Sequence, residues 1–151
     1  MRPGPANWDS ASSVLTWDML CRCLHSSGAD LPPPAIGFFY TEKTVFHVRV
    51  GADYKVAGMG IFSGVLVALL RDDTGKPNWL PAAFFECSAS RLPAFWGFRL
   101  IGTSDASGWT AKWGYEELIR DDDHINALIE RDPSAMEIFS VNSNRDDSFD
   151  G

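Results

Sequence analysis

Apolar positions recur in two rhythms along the chain: at three- and four-residue spacing near both ends, and at alternate residues or in short runs between. Trp17, Leu20, Cys21 and Leu24 follow the helical i, i+3, i+4, i+7 rule. Thr16 is placed to cap, Asp18 lies in the first turn, and Gly28 supplies a stop. This spacing predicts a helix over 17–27. Pro32-Pro33-Pro34 makes a stiff extended connector. Runs at 36–40 and 45–50 then read as a hairpin closed by 41–44. In the second run Phe46, Val48 and Val50 share one face, and Val45, His47 and Arg49 the other.

The apolar stretch 56–70 carries Gly58, Gly60, Ser63 and Gly64, which argue against a helix; two strands, or one bulged strand, fit better. Asp72-Asp73-Thr74-Gly75-Lys76-Pro77 is a turn, 79–87 returns as a strand, Arg91-Leu92-Pro93 turns again, and 94–101 reads as a strand. The last strand is predicted over 109–113, with Trp109, Ala111 and Trp113 on one face. Beyond it the spacing becomes helical: Tyr115, Leu118 and Ile119, then Ile125, Leu128 and Ile129 up to Pro133, then Ala135, Ile138 and Phe139. Strands in succession followed by helices indicate an α+β fold: an antiparallel sheet of five to six strands with an N-terminal helix and C-terminal helices. One domain is expected over 13–139, between a flexible arm at 1–12 and a flexible acidic tail at 140–151.

Composition adds few constraints until charge is mapped. With 151 residues, 45% apolar and 22% charged, the chain has ordinary globular content. The net charge is −7, and its distribution is uneven. Residues 1–103 hold nine Lys/Arg against eight Asp/Glu; residues 104–151 hold four against twelve. The acidic last third disfavours phosphate backbones and anionic lipid and favours encounter with a basic partner. The stretch 56–70 is too short and too glycine-rich for a membrane span. The opening residues have no apolar signal core, and three cysteines, Cys21, Cys23 and Cys87, cannot all pair within one chain. A reducing, cytoplasmic location is the expectation.

No motif commits the chain to a reaction. On a helix, Cys21-x-Cys23 would place the two thiols about 200° apart, so they read as core cysteines rather than metal ligands. Asp121-Asp122-Asp123-His124 precedes a helical run and reads as a cap with first-turn acids. Asn142-x-Asn144-x-Asp146 begins like a calcium loop, but Asp147 stands at the glycine position. Gly58-x-Gly60-x-x-x-Gly64 is one residue too long for a dinucleotide fingerprint and β-rich sequence follows it; its glycines read as places where a strand bends or is closely approached. The one catalytic arrangement with any logic brings His47 and Arg49 opposite Glu86 and Cys87. No catalytic residue, metal or cofactor is expected.

The favoured expectation is a non-enzymatic protein-binding module, an acidic immunity- or antitoxin-like inhibitor that occludes a basic partner. Trp109 or Trp113 would anchor the contact, and Glu116, Glu117, Asp121, Asp122 and Asp123 would steer and pair with it. The alternatives are a chaperone of a secreted effector and a small enzyme or ligand-binding domain with an aromatic pocket. The sequence leaves the oligomeric state open.

Overall fold

The computed structural model describes residues 19–27, 29, 43, 45–87, 91–102 and 107–145. Seven strands in one antiparallel sheet are followed by three helices, an α+β arrangement. The strands are β1 (Leu20–Cys23), β2 (Asp53–Phe62), β3 (Val65–Arg71), β4 (Pro77–Pro81), β5 (Phe85–Cys87), β6 (Gly97–Leu100) and β7 (Trp109–Gly114). The helices are α1 (Glu116–Arg120), α2 (Asp122–Ile129) and α3 (Pro133–Ser143).

The long strand β2 organises the sheet. It pairs with β3 over 56–62, with β7 over 58–62 and with β1 over 53–55. The order is β4-β3-β2-β1-β5, with β7 and then β6 attached at the C-terminal half of β2. The β2–β3 hairpin turns on Ser63 and Gly64, both at positive φ (49° and 80°), the handedness that a two-residue hairpin loop requires. The stretch 56–70 is therefore two strands. The turn at 72–77 also forms as its residues demand. Asp72, itself buried, accepts from the Thr74 amide at 2.9 Å, from the Thr74 hydroxyl and from Asn78 Nδ2, while Gly75 takes φ 84°.

The N-terminal helix expected over 17–27 does not form within the described residues; 20–23 is the strand β1. Cys21 and Cys23 are buried while Leu20, on the expected helical core face, is 49% exposed. Period two overrides period 3.6 here because β1 is paired on both sides, with β2 and with β5, and those ladders satisfy its backbone. Cys21 stands directly opposite Cys87 on β5 and is joined to it by a disulfide, while Cys23 is a buried free thiol. The cysteines are thus neither helical nor all unpaired.

Three further expectations are corrected. The run 45–50 is not a ladder strand: Val45 makes one isolated bridge to Ser27, and Val50 is exposed although Phe46 and Val48 are buried. Its partner run 36–40 and the arm 1–12 lie outside the described residues. The strand expected at 79–87 is broken by a single 3-10 turn at Ala82–Phe84, where the chain leaves β3 and begins to pair with β1 as β5. The strand expected at 94–101 starts only at Gly97, after a turn closed by Trp96 N–H donating to Pro93 O at 3.1 Å. At the other end, α3 runs to Ser143, past the boundary placed at 139. Arg71 holds that last turn: its Nη2 donates to Ser140 and Ser143, and its guanidinium lies 5.5 Å over the Phe139 ring.

Helix α1 sits close to the sheet because two glycines lie beneath Leu118. Gly58 and Gly114 are paired across β2 and β7, and a Cβ on either would overlap the fully buried Leu118 of α1. Leu118 joins Ala57, Leu69, Tyr115, Ile125, Leu128 and Phe139 in the cluster between sheet and helices. A second cluster holds Cys23, Phe46, Tyr54, Leu80 and Phe84, and a third holds Met19, Cys21, Val56 and Ala68. Gly58→Ala is expected to destabilise the fold by about 1–3 kcal/mol through overpacking, and Leu118→Ala by about 2–5 kcal/mol through loss of buried volume. In urea titrations the double variant should be less destabilised than the sum of the two. Strict additivity would mean that the glycine does not serve to seat Leu118.

Candidate functional site

A cavity of about 510 Å³ opens between the C-terminal half of the sheet and α2. Its apolar wall is a run of aromatic rings. Trp109 meets Phe62 with ring centroids 4.9 Å apart and Trp79 with centroids 5.0 Å apart, both inclined, a favourable arrangement for ring pairs. Val67 and Ile101 extend this wall, and Ile125, Asn126 and Ile129 close it from α2.

Trp109 reaches the cavity through an irregularity in β7. Ile61 pairs with Ala111, but Phe62 pairs with Trp109, so Thr110 is an extra residue on the β7 side. The bulge reverses the alternation of side chains. Trp109 therefore joins the cavity face, whereas Trp113 lies against Phe98, with centroids 5.1 Å apart. The expectation that Trp109, Ala111 and Trp113 share one face is corrected by this extra residue. Gly60 completes the accommodation, since a Cβ there would come within 2.5 Å of Trp109 Cζ3. The glycines of 58–64 are thus sites of close approach and turning.

The polar wall holds a charged cluster. Arg99 on β6 and Lys112 on β7 are directly opposed across the ladder. Two like charges in that register repel. Asp122, in the first turn of α2, bridges them: its Oδ1 accepts from Arg99 Nη1 at 2.9 Å and from Lys112 Nζ at 3.5 Å. Arg99 Nη1 also donates to the Ile119 carbonyl at 3.2 Å, tying β6 to the end of α1. The Lys112 side chain is only 1% exposed, while its partner Asp122 is 73% exposed. Burial pushes the Lys112 ammonium below the usual lysine range, and Asp122 opposes that only in part. The cavity thus combines three aromatic rings with two cations and one carboxylate, a local charge of +1.

The residues expected to contact a partner are dispersed. Trp109 is in the cavity wall and Trp113 on the far face. Glu116, Glu117, Asp121, Asp122 and Asp123 are all exposed on α1 and α2. Glu116 pairs with Arg120 at 3.4 Å, and Asp121 caps α2 by accepting from the Asp123 amide at 3.0 Å. Of the five, only Asp122 belongs to the cavity. Cys87 is consumed by its bond to Cys21 and cannot act as a thiolate, which removes the His47–Cys87 arrangement. With 20–23 extended, Cys21 and Cys23 do share a face, but Cys21 is bonded to Cys87. Among the described residues no three His, Cys, Asp or Glu side chains converge on a metal-sized site.

Lys112 was the functional side chain that sequence reasoning passed over. A lone lysine in Trp-Thr-Ala-Lys-Trp reads as the wet side of a strand, and only the bulge and the covering helix α2 reveal otherwise. Comparisons with protein-family models, with curated proteins and with solved structures returned no match.

Beneath α2, His124 is buried and its Nε2 lies 2.6 Å from the Tyr115 hydroxyl. Burial holds the imidazole below its ordinary pKa, so at neutral pH the ring is uncharged, and its tautomer sets which member of the Tyr115–His124 pair donates. Burial likewise raises the phenol's pKa and keeps it protonated. Because the folded-state histidine pKa lies below the unfolded value, the unfolded chain binds more protons as pH falls below about 6.5. Stability contributed by this site is complete above that pH and is lost as pH drops through the window down to the depressed value. His124→Gln should remove this component. Melting temperatures from pH 8 to pH 5 are expected to fall more steeply for the parent protein than for the variant, and parallel curves would contradict the neutral buried ring.

Proposed function

We propose that this domain binds a small ring-bearing organic molecule in the cavity beside α2. The observation that carries the reading is the combination of volume and lining. At about 510 Å³ the cavity lies within the ordinary range for ligand sites. Apolar rings form most of one side, and a few convergent polar groups, Asn78, Arg99, Lys112 and Asn126, can fix orientation. Of the sequence-based alternatives this is the ligand-binding domain with an aromatic pocket. It no longer involves His47 or Cys87. Ligand-observed NMR with a library of ring-bearing fragments tests it. Asn126 lies at the exposed rim, so Asn126→Trp can obstruct the cavity while leaving the core intact. Fragments that bind the parent protein should lose binding to this variant. Equal binding to both proteins would place the fragments elsewhere and defeat the reading.

A second reading is favoured by a different surface. On the sheet face away from the helices, Phe98 and Leu100 are 53% and 70% exposed, and Trp113 lies beside Phe98. An apolar patch of this kind is a feature of protein-interaction sites. It supports the inhibitor reading with Trp113 as the anchor of a basic partner; Glu116, Glu117, Asp121 and Asp123, on the helix side of the sheet, act on the encounter through their field alone, and Trp109, within the cavity wall, is not part of that anchor. Reversing Glu116, Glu117 and Asp123 to Lys should slow capture of a basic partner and flatten its salt dependence. An unchanged rate and slope would remove those carboxylates from the contact. No helix among the described residues is long and apolar enough to cross a membrane. Of the two grounds for the cytoplasmic expectation, the cysteine count no longer argues for a reducing compartment once Cys21 and Cys87 are bonded.

A further inference from the structure

We infer that the ligand of this cavity is a planar organic anion, an aromatic monocarboxylate, whose ring lies against Trp109 and Trp79 and whose carboxylate is held by Lys112 and Arg99. The inference rests on the ligand-binding reading above and adds the chemical class.

Three observations carry it. First, Lys112 lines the cavity with a side chain almost closed to solvent, so its ammonium needs partners from within. An ammonium has three donors, and among the described residues the one bond formed is the 3.5 Å contact to Asp122. Second, that partner is a poor counter-ion. The Asp122 carboxylate is mostly in solvent, and the same Oδ1 already accepts the shorter bond from Arg99. Third, the register places Arg99 and Lys112 side by side, so two cations converge where one exposed carboxylate, Asp122, hydrogen-bonds to them. A single carboxylate entering from the cavity brings the local charge from +1 to zero and supplies four lone-pair sites to the unfilled donors. A dianion would overshoot that balance beside Asp122. A neutral ligand would leave the charge of the lining at +1. The flat group is specified by the opposite wall, where the inclined rings of Phe62, Trp109 and Trp79 present apolar faces and edges to the cavity.

The test compares acids with their own primary amides, which keep the shape and one acceptor oxygen but lose the charge. Titration calorimetry with benzoate, indole-3-acetate and 2-naphthoate, each beside its amide, is run on the parent protein and on two variants. Lys112→Met keeps the length of the side chain and removes its charge from a buried place, so the fold is expected to persist. Asp122→Asn removes the competing carboxylate and leaves both cations. For the parent protein the acids should bind about tenfold or more tighter than the amides, the scale of one hydrogen bond to a charged group. Lys112→Met should abolish that preference, and Asp122→Asn should increase it. Acids and amides bound equally by the parent protein, both lost in Asn126→Trp, would overturn the anion inference and leave the pocket reading intact. Absence of binding by acids, amides and neutral ring fragments alike would overturn both.

Discussion

The depth at which Leu118 sits on the sheet decides the position of everything that follows it. Gly58 and Gly114, paired across the centre of the sheet, leave a hollow that only the absence of two Cβ atoms can make, and Leu118 fills it completely. Helix α1 is five residues long and has no side-chain cap at its N-terminus, so its own backbone bonds cannot fix it. The seating of Leu118 does so, at a burial worth on the order of a few kcal/mol. From that point the chain has one residue, Asp121, before α2 begins. Asp121 caps α2, and the next residue, Asp122, is thereby delivered to Arg99 and Lys112. A glycine pair in the sheet thus controls a charged contact two helical turns away in the sequence.

The same chain of dependence explains which features the sequence displayed. Turns and close approaches are local requirements of residue type, so Asp72 to Pro77 and the glycines at 58 and 60 could be read directly, whereas the pattern of 56–70 allows either two strands or one bulged strand, and only the observed turn at Ser63-Gly64 decides between them. The capping role of Asp121 was legible for the same reason. Strand β1 was not. Its apolar residues satisfy a helical period by coincidence, and the decision between periods is made by β2 and β5, about 30 and 65 residues away. The Cys21–Cys87 bond is hidden by the same separation: it needs the register of β1 on β5, which no local pattern encodes.

The cavity shows how one inserted residue can redirect a side chain without changing the fold. Without the extra Thr110, alternation would place Trp109 with Ala111 and Trp113, on the face where Phe98 lies. With it, Trp109 turns inward against Phe62 and Trp79, and Gly60 leaves it the space. The predicted pair of tryptophan anchors is split between two faces with different properties. One is a concave aromatic wall with buried positive charge, and the other is an open apolar surface.

Charge gives that split a consequence. The protein as a whole carries −7, and its last third is strongly acidic, yet the cavity walled by that same third is locally positive. At the distances over which a ligand approaches, the summed field repels an anion; at contact, Lys112 and Arg99 attract it. The surface carboxylates are screened within about 8–10 Å at ordinary ionic strength, whereas a nearly closed ammonium inside the cavity is screened far less. On the proposed anionic ligand the net charge and the cavity's two cations would therefore act in opposite directions, the first on encounter and the second on retention. For a basic partner at the outer surface the directions coincide, because the acidic field draws it in and Lys112, being buried, does not oppose it.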